Sequence, residues 1–290
     1  VELNRVIHPS FSAVLAASLM AFSCSRLKEP SAAEASAAAA SPTGSRLRVV
    51  TFNISGAPDF DRLGELMARD IETRDADVLL LQELPNGATT ASLEKVGSRI
   101  GLPFAHCAER HVGAPSLGIL SRWPLRDLEI LYLPRFDLGY RSRRRIAIAA
   151  TLSFGGDAVR IFNVHLDTRI RLGDRILQLK PVVDRALASP RAVIGGDVNT
   201  IRSLPLMLPW IPLPFPGFSQ APGLDAHMKS LGFETPLENL SWTGPLRMRL
   251  DAVFGRGLRA GRNGIVLFPG LSDHVAIWSD WLAAGEGADR

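Results

Sequence analysis

The sequence predicts an α/β fold in which two β-sheets pack together and helices lie outside them. Three observations lead there. Short runs rich in β-branched and large apolar residues recur from about Arg46 onward, and they outnumber the segments with helical periodicity. Several of these runs are apolar at consecutive positions, the pattern of strands buried on both faces. Many strands with few intervening helices fit two packed sheets better than one doubly wound sheet.

The domain starts near Arg46 with Leu47-Arg48-Val49-Val50-Thr51-Phe52-Asn53, a strand by its β-branched content. Asp61 to Thr73 has helical spacing through Leu63, Leu66, Met67 and Ile71. Asp77 to Glu83 is a strand that ends in a carboxylate, and Leu93 to Ile100 is helical. Leu117 to Ser121 and Leu128 to Tyr132 are strands around the turn Arg122-Trp123-Pro124. Arg145 to Leu152 and Ala158 to His165 form a hairpin across Gly155-Gly156. Leu172 to Ala188 is helical, with Pro181 expected to kink or split it. Ala192-Val193-Ile194 leads into Gly195-Gly196-Asp197-Val198-Asn199-Thr200, where the glycines are expected to turn the backbone. A short helix near Leu224 to Leu231 and strands at Leu250 to Phe254 and Val275 to Trp278 complete the domain.

The 290 residues are 46% hydrophobic, enough for one sizeable core or two small ones. A net charge of +4 and a pI near 9.5 suit an anionic substrate. With only two cysteines no disulfide scaffold supports the fold, and Cys107 is expected as a small buried hydrophobe. Residues 1–24 have the layout of an export signal: Arg5 and His8, the apolar run Phe11 to Phe22, then Ser23 and Cys24. Ala21-Phe22-Ser23-Cys24 resembles a bacterial lipobox, so two fates fit, attachment to the membrane through lipidated Cys24 or plain cleavage. The expected location is the bacterial cell envelope, as a lipoprotein or periplasmic protein, or the medium. Residues 25–45 form an Ala/Ser-rich tether, 46–283 the folded domain and 284–290 a tail.

Polar side chains collect at strand ends: Asn53, Glu83, His165, Asp197, Asn199, Asp251, Asp273 and His274. In extended chain Asp197 and Asn199 would point to one side, and such a pair holds a water, a phosphate oxygen or a hard cation. An Asx turn closing a strand explains the same hexapeptide more simply. Asp251 interrupts an apolar strand and needs a partner. His274 suits it, with Asp251 holding one ring nitrogen and fixing the tautomer.

Taken in order, Thr51-Phe52-Asn53, Leu81-Gln82-Glu83, Gly118-Ile119-Leu120-Ser121-Arg122, Asn163-Val164-His165-Leu166, Gly195-Gly196-Asp197-Val198-Asn199, Leu250-Asp251-Ala252-Val253-Phe254 and Ser272-Asp273-His274 resemble the endonuclease/exonuclease/phosphatase superfamily, which includes deoxyribonuclease I, exonuclease III and the neutral sphingomyelinases. The resemblance spans Leu47 to Trp281. It implies a four-layer α/β sandwich of two mixed sheets flanked by helices, with the site where strand ends of both sheets converge. It implies Mg²⁺, with Mn²⁺ or Ca²⁺ as alternatives, on Glu83 with Asn53 nearby and Asp273 approaching. Asp197 would position or deprotonate the attacking water, and Asn199 would bind a phosphate oxygen. His165 and His274 would flank the phosphoryl group, with Asp251 orienting His274. Val198 stands where phenylalanine is common, Ala252 where tyrosine is frequent and Leu117 where many members have asparagine. His165 is shared with the nuclease and sphingomyelinase branches.

Two segments bear on the substrate. Arg141-Ser142-Arg143-Arg144-Arg145 is either a solvated loop or, through Arg144 or Arg145, a phosphate contact. Leu204 to Pro216 is uncharged and too rich in proline for a regular helix, and it either folds over the core or meets lipid. The expected activity is a Mg²⁺-dependent phosphodiesterase, with nucleic acid favoured over phospholipid as substrate. A phospholipid (sphingomyelinase-like) phosphodiesterase or phosphatase is the alternative, and a non-catalytic binding protein of the same fold the third reading.

Overall fold

The computed structural model of the protein describes residues 46–55, 60–108, 116–136, 144–200, 219–240, 242–244 and 248–283. The expected export signal and Cys24, the tether, Arg141 to Arg143, the apolar segment 204–216 and the tail lie outside the described residues. In chain order the elements are β1 (Arg46–Asn53), α1 (Phe60–Arg69), α2 (Ile71–Arg74), β2 (Val78–Leu84), α3 (Thr90–Arg99), β3 (Phe104–Ala108), β4 (Ser116–Ser121) and β5 (Arg126–Tyr132). They continue with β6 (Ile146–Phe154), β7 (Asp157–His165), α4 (Leu172–Leu187), β8 (Ala192–Asp197), α5 (Ala221–Ser230), β9 (Asp251–Arg256), β10 (Leu258–Val266) and β11 (Ala276–Ala283).

The strands form two mixed sheets, one ordered β10-β11-β1-β2-β4-β3 and the other β5-β6-β7-β8-β9. Period-two alternation explains how they stack. Val49, Leu80, Ile148, Ile161, Val193 and Ile277 meet between the sheets in one core. Their neighbours in sequence point outward. Val50, Leu79 and Leu81 pack on Leu63 and Met67 of α1 and Leu93 of α3. Phe162, Val164 and Ile194 pack on Leu179 and Val182 of α4 and Met228 of α5. Each buried aliphatic or aromatic side chain contributes about 1.5–3 kcal/mol. The result is the predicted α/β sandwich, with helices on the outer face of each sheet.

The structure corrects the sequence reading in several places. The helix expected over Asp61 to Thr73 is broken at Asp70, whose backbone is extended and whose side chain caps α2 by accepting from Thr73 N. Pro181 does not split α4, which runs through it as one helix. Gly195 and Gly196 do not turn the chain. They lie inside β8, where a Cβ at Gly195 would meet Leu80 of the other sheet at 2.7 Å and one at Gly196 would meet Val164 O at 2.0 Å. β3 and β10 were not predicted, because Phe104-Ala105-His106-Cys107-Ala108 has no β-branched residue and β10 carries Gly261 and Gly264. Both are edge strands, and Gly264 leaves room for the Trp278 ring, which a Cβ would meet at 2.8 Å. Cys107 is buried in β3, as expected. No helix among the described residues is long and apolar enough to cross a membrane.

Candidate active site

Strand register sets the site. His165 ends β7 opposite Asp197 on β8, and Asp197 stands opposite Asp251 on β9, one row across three neighbouring strands. In the other sheet Asn53 ends β1 opposite Gln82, with Glu83 next along β2. The pairs β1–β2 and β7–β8 are parallel, so each brings two C-terminal strand ends to the same edge. Glu83 lies where the register of β2 against β4 slips, and its φ is +55°. Such an irregularity re-aims a side chain out of strand alternation, and the Glu83 side chain is 40% exposed. Among the described residues the non-glycine positions with positive φ are Ser55, Glu83, Asp127 and Asn199. Three of these adjoin this edge. At roughly 1–3 kcal/mol each, strain gathered in one place marks a functional site.

The side chains close into a ring. Asn53 Nδ2 donates to Glu83 Oε1 at 3.2 Å and to Asp197 Oδ2 at 2.9 Å, bridging a carboxylate from each sheet. His165 Nε2 lies 3.7 Å from Glu83 Oε1 and 3.5 Å from Asp197 Oδ2. His274 Nδ1 lies 2.9 Å from Asp251 Oδ2, and its Nε2 is 3.9 Å from Asp197 Oδ2. Two overlapping groups therefore gather ligand-type atoms within 4.8 Å of one another: Glu83, His165 and Asp197, then Asp197, Asp251 and His274. Asn199 is not in extended chain. With φ +50° it turns after Asp197, and its N–H donates to Asp197 Oδ1 at 2.9 Å in an Asx turn. One N–H of its carboxamide donates to Leu166 O at 3.0 Å.

Burial and the facing Asp251 carboxylate push Asp197 up to about 7, against the pull of His274, Asn53 and the Asn199 N–H. For His274 burial opposes the charge, but Asp251, Asp197 and Asp273 outweigh it and raise the imidazole to about 10. At neutral pH an imidazolium thus stands between two buried acids, one of them poised to lose or gain a proton. Such a set can hold a hard cation, move a proton, or neutralise an anion.

Other residues expected at the site lie at its margin. Asp273 is exposed and belongs to neither ligand group, reaching the site through its field on His274. Arg145 Nε donates to buried Asp167 at 2.9 Å. Arg144 is exposed and stacks over Tyr132 at 4.7 Å.

Sequence reasoning missed the residues that hold the ring in place. Buried Thr243 donates to Asp251 Oδ2 at 2.7 Å and accepts from Leu250 N and Asp251 N. Ser272 Oγ donates to Asn53 O at 2.6 Å and accepts from His274 N at 3.0 Å. Gln82 Nε2 donates across the sheet interface to Asn163 Oδ1 at 2.7 Å, and Asn163 Nδ2 donates back to Leu81 O and Gly118 O. Arg175, fully buried on α4, is lowered to about 10 by burial while Asp197 and Asp167 oppose the shift. The signals were there for some of them. Gln82 and Asn163 are amides inside apolar strands, and Arg175 and Gln178 interrupt the buried face of α4.

Residues 50–274 match the sequence profile of the Endonuclease/Exonuclease/phosphatase family. Among solved structures the chain resembles the endonuclease/exonuclease/phosphatase from Beutenbergia cavernae DSM 12333, at 20% identity and a TM-score of 0.65, covering 85% of this chain and 74% of that one. It resembles D. rerio TDP2 complexed with single strand DNA product, at 16% identity and a TM-score of 0.59, covering 82% and 99%. It also resembles the human Nocturnin catalytic domain with bound sulfate anion, at 19% identity and a TM-score of 0.57, covering 81% and 93%. No curated protein matches the chain in sequence.

Proposed function

The chain belongs to the Endonuclease/Exonuclease/phosphatase family, and on that premise we propose that it is a divalent-cation-dependent phosphodiesterase acting on nucleic acid. The observation that carries this reading is the ring in which Asn53, Glu83, His165, Asp197, Asp251 and His274 converge from both sheets. A ring with every acid and base position filled argues against a non-catalytic binding protein.

The residues fit a hard cation. Glu83 offers a partly exposed carboxylate beside Asp197 and His165, Asn53 adds an amide, and oxygen donors of this kind suit Mg²⁺, with Mn²⁺ or Ca²⁺ as alternatives. Glu83 and Asn53 would hold the ion, with Asp273 approaching from its exposed position. When bound, the cation would neutralise charge on the phosphoryl oxygens as in-line attack proceeds. The chain supplies the rest. Asp197, held near neutrality at about 7, positions the attacking water and takes its proton. His274, oriented by Asp251, donates to the phosphoryl group from one flank and His165 faces it from the other. The Asn199 carboxamide, with one N–H on Leu166 O, directs the other to a phosphate oxygen. Arg144 serves as an outer phosphate contact, with Arg145 held beside it by Asp167.

The nucleic-acid preference is supported by the pI near 9.5, by the run Arg141 to Arg145 and by the DNA product bound to D. rerio TDP2. One observation favours a phospholipid substrate instead. Gln220 N donates to Thr200 O at 2.8 Å, so the described residues that flank the apolar segment meet next to Asn199. An export signal over 1–24, followed by attachment through Cys24 or plain cleavage and delivery to the cell envelope or the medium, completes the proposal. The test is hydrolysis by the purified chain of single- and double-stranded DNA, RNA, sphingomyelin vesicles and a phosphomonoester, with Mg²⁺ or with EDTA. Mg²⁺-dependent cleavage of nucleic acid is expected. Cleavage of sphingomyelin alone would replace the substrate, and no hydrolysis under any divalent cation would leave the binding-protein reading.

A further inference from the structure

The inward face of α4 carries Arg175, Gln178, Leu179, Val182, Val183 and Ala186, so a guanidinium occupies a place where an aliphatic side chain would ordinarily pack. Stripping water from a guanidinium is costly. Arg175 offsets that cost through bonds to neutral oxygens. Nη1 donates to Asp167 O and to Val198 O, both at 2.7 Å. Nε donates to Gln220 Oε1 at 3.0 Å, and Nη2 reaches Ile170 O at 3.3 Å and Thr168 O at 3.5 Å. One side chain thus grips the chain leaving β7 after His165, the chain leaving β8 after Asp197, and the residue before α5.

The bond to Val198 O has a particular consequence. Val198 and Asn199 share one planar peptide unit. Arg175 holds the carbonyl end of that plane, and the N–H end donates to Asp197 Oδ1 at 2.9 Å. The orientation of the plane therefore sets both the direction of the Asp197 carboxylate and the left-handed φ of +50° at Asn199. The second bond of Nη1 steadies the other side of the turn, where Leu166 N donates to Asp197 O and Leu166 O accepts from the Asn199 carboxamide. Val198 N donates to Leu250 O, which fixes where the strand ends without holding this plane.

We propose that Arg175 is a positioning residue for the reaction, acting through the Val198–Asn199 peptide to aim Asp197 and Asn199. This rests on the reading that those two side chains act on the phosphoester. A lysine in its place would reach one or two of the oxygens but lacks the planar fork.

The test compares Arg175→Met and Arg175→Lys with the parent chain, using bis(p-nitrophenyl) phosphate with Mg²⁺ and backbone amide exchange of Asn199 by NMR. Arg175→Met is expected to lower kcat ~10–100-fold, the usual effect of losing an outer partner of a site residue, with KM nearly unchanged. Arg175→Lys should recover part of that loss. Exchange of the Asn199 amide should accelerate in both, while amides in the centre of β8 stay protected. In an Asn199→Ala background, Arg175→Met should cost little more, because both changes disable one unit. Unchanged kcat, losses that multiply in the double variant, or unaltered exchange at Asn199 would each overturn the proposal. If Arg175→Met does not fold, Arg175→Lys decides it on the same two readouts. A parent chain that hydrolyses nothing would defeat the proposed function, while exchange at Asn199 would still decide the relay.

Discussion

Asp251→Asn should move the titration of His274 and, with it, the pH dependence of stability. His274 is held at about 10 against an ordinary 6.5, and among the influences raising it Asp251 is the largest. A folded pKa above the unfolded value contributes stability that is complete below pH 6.5 and lost as pH rises through about 10. The span corresponds to roughly 5 kcal/mol at most. Removing one partner of a buried pair costs about 3–5 kcal/mol, so the variant should be about 3 kcal/mol less stable near neutrality. Burial remains in the variant and is opposed only by Asp197 and Asp273, so His274 should titrate lower and the deficit should shrink toward pH 10. Asp197 runs in a lower window. Raised from 3.8 to about 7, it contributes stability at the acid end that is lost as pH climbs through 7. Urea unfolding from pH 7.5 to 10.5 in EDTA, beside NMR titration of the His274 ring, isolates the imidazole. A ring that titrates near 6.5 in the parent chain, or a deficit constant with pH, would refute the coupling.

Glu83→Ala should abolish Mg²⁺ binding and hydrolysis while changing stability by no more than about 1 kcal/mol, and calorimetry showing unchanged affinity would remove Glu83 as the ligand. Asn163→Leu leaves Gln82 without its cross-sheet acceptor and Leu81 O and Gly118 O without their donor. At about 1–3 kcal/mol for each unsatisfied buried group, urea unfolding should show a loss of at least about 2 kcal/mol. Arg48→Met strips Asp280 of its bidentate partner, and Arg46 and Arg262 approach that carboxylate only at 3.8 and 3.5 Å. A loss of about 3 kcal/mol is expected, with kcat within about twofold because Arg48 lies near the opposite end of β1 from Asn53. A large fall in kcat without a fall in stability would show that the two ends of β1 communicate.

Both sheets and their outer helices were legible because the central strands are apolar on both faces, and such runs have few alternatives. What escaped was decided at a distance. β10 carries two glycines that only β11 across the pair explains, Gly264 packing on the Trp278 ring and Gly261 against Asp280. The break at Asp70 depends on a cap that helical periodicity does not register. The strand-end residues were legible because an acid or imidazole closing an apolar run stands out. At Asn199 the simpler reading, an Asx turn closing the strand, holds and the extended pairing with Asp197 does not, because the left-handed turn depends on bonds to Asp197 Oδ1 and Leu166 O. Thr243 and Ser272 look like ordinary loop residues until the fold brings them to Asp251 and Asn53.

The ring cannot form within one sheet. Asn53 and Glu83 come from the sheet of β1 and β2, whereas His165, Asp197 and Asp251 come from that of β7, β8 and β9. Apolar contact between the sheets is non-directional, so on its own it would tolerate a small slide of one sheet over the other. Bonds of defined length would not. Directly behind the ring Gln82 and Asn163 make such a bond at 2.7 Å, one residue before Glu83 and two before His165. At the front Asn53 spans the same interface to Asp197 at 2.9 Å. With both strand ends pinned from two sides, a slide that separated Glu83 from Asp197 would strip the buried Asn163 amide of its partners Gln82, Leu81 O and Gly118 O. Sheet packing and site assembly are in this sense one event, and the carboxylates of the two sheets meet only in the register that satisfies those amides.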